Sequence, residues 1–556
     1  MRCARVLTEN AALADRPFDY LVPASMSVGV GDRVRVNLNG RSIRGWVVEE
    51  GDESLATKPL TAWLGYGPSP EGLDLARYVA RRWYGPLSRV LVSMSPDRLV
   101  KELPSPPTEW SRPPLSDAPE SGLYVYGPSE DPFEFVLRTT ALTRRGPLLI
   151  LAPSEGYAQR LGARLLRHGV PVAGPGEWSR QRANWPVVVG ARGAALAPCS
   201  PIGGVLVLDA EDESYRSEAQ PTWWAPALVV ERARRDGAPW WMTTSTPTPD
   251  LYSLGEPQWR DVSRWWPRVE VVDRRESDPR DGVLDQRALV EVRRALEGPE
   301  EVACVVVLQR LGAGRLYACR SCRELARCAV CQQAESLREG QMVCAEGHEP
   351  RVPFCRQCGS TALRAVRSGV TTLARDVAAL TGHAVSELTA TTRPGPLERV
   401  VVGTEAALHR IRRAGVVVFA DFDQYLLAPR EGSRSRALAV VARAGRVTGG
   451  RARGGVVVIQ TRRHDDVMEA LREGQPRSVC EAEREEAELL GLTPYGAPTE
   501  ILGAGAAAWL AGVEIPGVSR REMDGGVALR HSDPAAVPDA LARLARAGTP
   551  LRVRVW

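Results

Sequence analysis

Lysine is almost absent from this chain: of 72 basic residues only Lys58 and Lys101 are lysine, and all the others are arginine. A step that needs a primary amine must therefore use one of two positions. The rest of the basic charge is planar guanidinium, suited to bidentate contact with phosphate, although a GC-rich coding bias explains the excess more simply. Long apolar runs are also missing. No stretch of about eighteen apolar residues occurs, and the amino terminus, MRCARVLTENAALADRPFDY, has acidic residues and no apolar signal-peptide core. These absences exclude a membrane span and an export signal, and predict a soluble cytoplasmic protein. Nor is there a large excess of one charge. The net value is +5 over 556 residues, a weak pointer to nucleic acid by itself.

What is present is a dense cysteine cluster. Seven of the eleven cysteines lie between Cys319 and Cys358, in the pattern C-x2-C-x5-C-x2-C-x12-C-x3-H-x6-C-x2-C. Thiolate and imidazole are the ligands of four-coordinate zinc, and a Cys-x2-Cys turn offers two sulfurs to one metal. Eight candidate ligands suit two closed sites. They can be matched in sequence order or nested, with Cys319, Cys322, Cys355 and Cys358 around Cys328, Cys331, Cys344 and His348. Nesting is preferred, because the short links then fold inside a loop that the outer metal closes. A disulfide cluster belongs to small secreted domains and fits a long chain without an export signal poorly. Glu346 or Glu349 could replace His348.

The length suggests about three or four domains. Residues 1–102 read as a small β-rich domain: GDRVRVNLNGRSIRGWVVEE alternates as paired strands, with a turn at Asn37 to Gly40 and a helix near Leu73 to Trp83. Phe18, Asp19 and Tyr20 could simply be a strand packed in a core. Residues 103–120 are a proline-rich linker. From 121 to 265, GLYVYG, PLLILAP, PVVVGA, GVLVLDAED and PWWMTTSTP alternate with helical segments, the pattern of a buried parallel sheet. A second such set, beginning with ACVVVL, fills 266–485, and the cysteine-rich insertion, 315–362, follows its first strand. Residues 486–556 read as a small α+β domain containing the amphipathic stretch Val537 to Ala547.

Two tandem α/β domains suggest a nucleotide-driven motor, yet the phosphate chemistry is missing. Where G-x-x-x-x-G-K-[ST] belongs, the chain reads YGPSEDPFEF; only Gly127 remains, and Glu130 and Asp131 put negative charge where phosphates would sit. Downstream, VLVLDAEDES keeps Asp209, which could face a metal, but acidic residues solvating a strand end are the simpler expectation. In ARAGRVTGGRARGG, Arg443, Arg446, Arg451 and Arg453 could stabilise a transferring phosphate, or make a flexible basic contact to nucleic acid without ATP.

The order of parts resembles primosomal protein N-prime, the PriA replication-restart helicase family, over nearly the whole chain. The likeness rests on RPFDYLVP with GDRVRV, the eight-ligand cluster, MTTSTP for the family's G-S-A-T-P, VVGTEAAL for its G-T-Q-M, and ARAGR for its Q-x-x-G-R-A-G-R. It implies two RecA-like helicase lobes, two structural zincs paired in the nested way, and recognition of stalled or recombined forks. It also implies a nucleoid-associated monomer with forked and single-stranded DNA, the replicative helicase, other primosome proteins and single-stranded-DNA-binding protein as partners. Carried over by position, Phe18, Asp19, Asn39 and Lys58 match the family's pocket for a DNA 3′ end, and Gly127 and Asp209 its nucleotide site. The chain departs from the family in its P-loop, in DEEH, which is Asp209-Ala210-Glu211-Asp212, in part of the last motif, and in lacking a winged-helix segment. It thus resembles the helicase-inactive form found in GC-rich actinobacteria. The expectation is a fork-binding assembly factor. A weak ATP-dependent 3′-to-5′ helicase is the alternative, disfavoured by the missing lysine. A zinc enzyme is disfavoured because eight ligands for two metals leave no open position.

Overall fold

The computed structural model describes residues 2–9, 15–277, 282–299, 301–309, 317–322, 324, 326–330, 335–338, 340–344, 348–365, 370–427, 431–496, 498–503, 505–512, 514–523, 525–531, 536–541 and 551–555. The amino-terminal strands are β1 (Cys3–Thr8), β2 (Phe18–Leu21), β3 (Arg33–Leu38), β4 (Arg41–Glu50) and β5 (Ala62–Gly65), an antiparallel sheet in the order β2-β1-β4-β3-β5. The turn between β3 and β4 is Asn39-Gly40, with φ of 50° and 79°. Both residues accept the left-handed region that a two-residue hairpin demands. One face packs Val6, Val34, Val36 and Val47 together. The other carries Trp46 and Val48 towards the helix Pro70–Arg82.

After an extended linker with one short helical turn at Leu115–Asp117 come β6 (Gly122–Val125), β7 (Leu148–Leu151), β8 (Val172–Ala173), β9 (Val187–Gly190), β10 (Gly204–Val207), β11 (Trp240–Thr244) and β12 (Pro257–Gln258). They form a parallel sheet in the order β12-β6-β11-β10-β7-β9-β8, here lobe 1. Lobe 2 begins with β13 (Arg268–Asp273) and β14 (Cys304–Val307). The cysteine-rich insertion holds β15 (Tyr317–Cys319), β16 (Glu335–Arg338), β17 (Gln341–Cys344) and β18 (Leu363–Ala365), and lobe 2 resumes with β19 (Val385–Leu388), β20 (Val400–Gly403), β21 (Val416–Phe419) and β22 (Val456–Thr461). Its parallel sheet runs β13-β22-β21-β14-β20-β19. The valine-rich strands β9, β14, β20 and β21 are buried at every residue, as strands covered on both faces must be.

The insertion follows the second strand of lobe 2 and not the first. The strand that the sequence does not reveal is β13: at the sheet's edge its Arg-Val-Glu-Val-Val-Asp mixes charge with valine, and only some of its residues are buried. The helix Arg477–Leu489 runs across the expected boundary at 485/486. Beyond it, β23 (Pro498–Leu502), β24 (Ser519–Met523), β25 (Gly526–Arg530) and β26 (Arg552–Val555) form an antiparallel sheet, β24-β25-β23-β26. Of the stretch Val537 to Ala547, residues up to 541 lie in the helix Ala536–Leu541, and 542–547 lie outside the described residues. Among the described residues no helix is long and apolar enough to cross a membrane.

Candidate functional site

Three places hold the residues singled out by the sequence. In the insertion, the sulfurs of Cys319, Cys322, Cys355 and Cys358 all lie within 4.8 Å of one another, and so do the ligand atoms of Cys328, Cys344 and His348. The grouping is the nested one. Cys319 Sγ is 3.5 Å from Cys358 Sγ, and Cys322 Sγ is 3.4 Å from Cys355 Sγ. A disulfide needs about 2.0 Å, whereas sulfurs about 2.3 Å from one tetrahedral metal stand about 3.8 Å apart, so the spacing fits a metal. His348 turns Nδ1 towards both Cys344 Sγ (3.4 Å) and Cys328 Sγ (3.6 Å). Among the described residues it is thus the imidazole, and not Glu349, that joins the two sulfurs of the inner group; Cys331 and Glu346 lie outside the described residues. Backbone N–H groups of Ser321 and Val330 donate to the sulfurs of Cys319 and Cys328, the donation that stabilises a thiolate. Among the described residues apolar support is slight: Tyr317, Ala326 and Met342 form the insertion's buried core, and Arg351 and Glu335 form a buried ion pair.

In the amino-terminal sheet, Phe18 and Asp19 open β2. Phe18 is half-buried, packs against the sheet's core and lies under Arg16, 5.9 Å from the ring centre. Asp19 faces Arg5 across β1; its Oδ1 accepts from Arg5 Nε at 3.3 Å and from the Asp52 N–H at 2.9 Å. Lys58 is tied to the same strand by its carbonyl, which accepts from Leu21 N–H at 2.9 Å, while Asn39 stands at the exposed hairpin tip. No hydrogen bond or ion pair joins the side chains of Phe18, Asp19, Asn39 and Lys58 among the described residues. Arg5 and Asp52, which set the Asp19 carboxylate, carry no motif that would have marked them in the sequence.

The third place is the cleft between the lobes, at the carboxyl ends of their parallel strands, where α/β proteins bind ligands. After β6 the turn is closed by its own acids: Glu130 accepts from Gly127 N–H at 3.1 Å and Asp131 from Phe133 N–H at 3.1 Å. Gly127 also lies against Trp265, so close that a β-carbon there would meet Trp265 Cβ at 2.2 Å, and Ser129 Oγ donates to Trp265 O at 2.7 Å. The N–H donors of Gly127 and Phe133 and the space beside Gly127 are thus all taken. After β10, Asp209 adopts φ of 52°, and Arg446 grips its two oxygens; Arg443 pairs with Asp212. The expected solvated strand end is therefore a buried one, because lobe 2 covers it: the Asp209 and Asp212 side chains are 13% and 1% exposed. Nor are Arg443 and Arg446 a flexible basic loop, since both lie on the helix Ser433–Thr448.

Burial dominates the electrostatics here. It pushes the Glu211 carboxyl up to about 7, with Asp209 adding to the rise; one oxygen accepts from Ser245 N–H at 3.0 Å, and the other has no hydrogen-bond partner among the described residues. Burial, then Arg443, depress His409 to about 4, so it is neutral near pH 7 and is no ion-pair partner for Asp212 there. Burial alone would raise Asp212, but Arg443 and then His409 outweigh it and hold it below the usual range. Beside these groups is a cavity of about 230 Å³, lined by Ser154, Tyr157 and Arg160 of lobe 1 and by His409, Arg412 and Arg443 of lobe 2.

Fold and site together define a class: a protein of two parallel-sheet lobes facing each other across a cleft, with a small antiparallel domain in front and a cysteine-rich insertion in the second lobe. Residues 5–96 match the family model of PriA described as the 3′DNA-binding domain (3′BD). The "Probable replication restart protein PriA" of Mycobacterium tuberculosis strain H37Rv is 27% identical over 550 residues, covering 86% of this chain and 83% of that protein. The "Replication restart protein PriA" of Bacillus subtilis is 28% identical over 210 residues, 35% of this chain and 26% of that one. Yeast Dbp5 bound to RNA and ADP BeF3 superposes with a TM-score of 0.36 at 12% identity, over 76% of this chain and all of that one. Over most of its length the chain is thus similar to the replication restart proteins PriA.

Proposed function

We propose that this chain is a replication restart factor that recognises stalled or recombined forks by a free DNA 3′ end and assembles the primosome, without an ATP-driven motor. The likeness to PriA over most of the chain supports the restart role, and the 3′DNA-binding domain supports end recognition. In that pocket Phe18 would stack on the terminal base, Asp19 would accept from the 3′-hydroxyl through the oxygen that Arg5 and Asp52 leave open, and Asn39 and Lys58 would flank the strand. The observation that carries the absence of a motor is the turn at Gly127, where carboxylates take the backbone N–H donors that a phosphate needs.

The insertion would hold two zinc ions, one on Cys319, Cys322, Cys355 and Cys358, the other on Cys328, Cys344 and His348 with Cys331 as fourth ligand. Closed tetrahedra supply folding energy and leave no site for substrate. Gly127 and Asp209 are then vestiges of a nucleotide site. The replicative helicase, other primosome proteins and single-stranded-DNA-binding protein are the proposed partners of a monomer. Binding to forks that differ only in a free or a blocked leading-strand 3′ end tests the reading. Tighter binding to the free end, persisting in moderate salt, is expected; equal binding would reject it, because the arginine–phosphate contribution is common to both forks.

A further inference from the structure

Across the cleft, carboxylates of lobe 1 face arginines of lobe 2. Lobe 1 supplies Asp209, Asp212, Glu213 and Asp250; lobe 2 answers with Arg436, Arg443 and Arg446, three arginines on one helix, Ser433–Thr448. At spacings of seven and three residues they share one face of it. Arg446 holds Asp209, Arg443 holds Asp212, and Arg436 lies 3.2 Å from Glu213 and 3.6 Å from Asp250. Asp250 takes a further contact from Arg216 of its own lobe at 2.6 Å. The Arg443 side chain is 15% exposed and the Arg436 side chain 12%, so salt screens these contacts less than it would surface pairs.

Parting the lobes would break these pairs together, because their three arginines sit on one helix, and each contact would be exchanged only for the hydration of the separated charges. In phosphoryl-transfer proteins, arginines that close on a site do so onto the phosphates of the nucleotide. Here the facing wall of the same chain offers carboxylates in their place. We propose that this acid–base wall locks the two lobes shut, so that they form one rigid platform whose closure needs no nucleotide. The lock rests on the reading of the cleft as a site that does not turn over ATP.

The test places two fluorescent non-natural amino acids on the full-length protein, one in each lobe, at Leu166 and Val290, which are 57% and 60% exposed. Energy transfer between them should report one distance in the wild type, unchanged by ATP with Mg²⁺. Arg443→Glu with Arg446→Glu should lengthen and broaden it. Arg446→Asp alone should do the same, and adding Asp209→Arg to it should restore the wild-type distance; that exchanged pair also serves where the double reversal fails to fold. Distances in Arg446→Asp and in the double reversal equal to the wild type would overturn the lock while leaving the nucleotide-free reading standing. A wild-type distance that moves on adding ATP, with the variants opening as expected, would instead overturn the nucleotide-free reading, and with it the lock as a substitute for nucleotide.

Discussion

At the residue scale, Glu211 has the plainest consequence. An unfolded chain gives up this proton near 4.5, whereas burial and Asp209 hold it in the folded chain to about 7. Its contribution to stability is therefore whole below about pH 4.5 and is lost as the pH rises through 7. Glu211→Gln, which has no proton to lose, should be more stable than the wild type above pH 7 by roughly 1–3 kcal/mol, and should lose that advantage towards pH 5. Denaturant unfolding of both proteins across this range checks it; parallel curves would mean that the carboxyl is solvated. Phe18→Ala should remove about 1–3 kcal/mol of binding to forks with a free 3′ end and little from forks without one. Equal losses on both forks would make Phe18 a core residue only. Asp19 is marked in the sequence only by its motif, and its neighbours Arg5 and Asp52 by nothing, since a cross-strand partner and a backbone donor leave no pattern.

At the scale of elements, the insertion was the most legible part, because ligand chemistry restricts both residue type and spacing. Its nested grouping follows from local turns and can be read before any strand is placed. The buried acids after β10 were illegible for the opposite reason: what covers them is a helix more than two hundred residues away, and a local reading can see only an acidic strand end. Strand β13 was hidden by its charged edge position. Since the core of its described residues is so small, the insertion should depend on the metals proposed for it. Fresh protein should carry two zinc ions per chain by metal analysis, and Cys319→Ser about one. In that variant, exchange of backbone amides should rise within 315–362 while the proposed preference for a free 3′ end persists, because Phe18 and Asp19 belong to a separate sheet. A loss of end preference with the metal would show that the two parts are not independent.

At the scale of the whole molecule, the sequence conveyed two tandem parallel sheets and a turn after β6 that lacks a phosphate loop's lysine, since valine-rich strands and a missing lysine are local facts. The closed cleft between them is a tertiary fact, made by Trp265 over Gly127 and by arginines opposite carboxylates. A molecule built so should bind forked DNA without consuming nucleotide. The most direct measurement is ATP hydrolysis by the metal-loaded, full-length protein with and without forked DNA, beside a nucleotide-binding titration. The expected result is no turnover above background in either case, with fork binding unaltered by ATP; hydrolysis that rises with forked DNA and disappears in Asp209→Ala would contradict it.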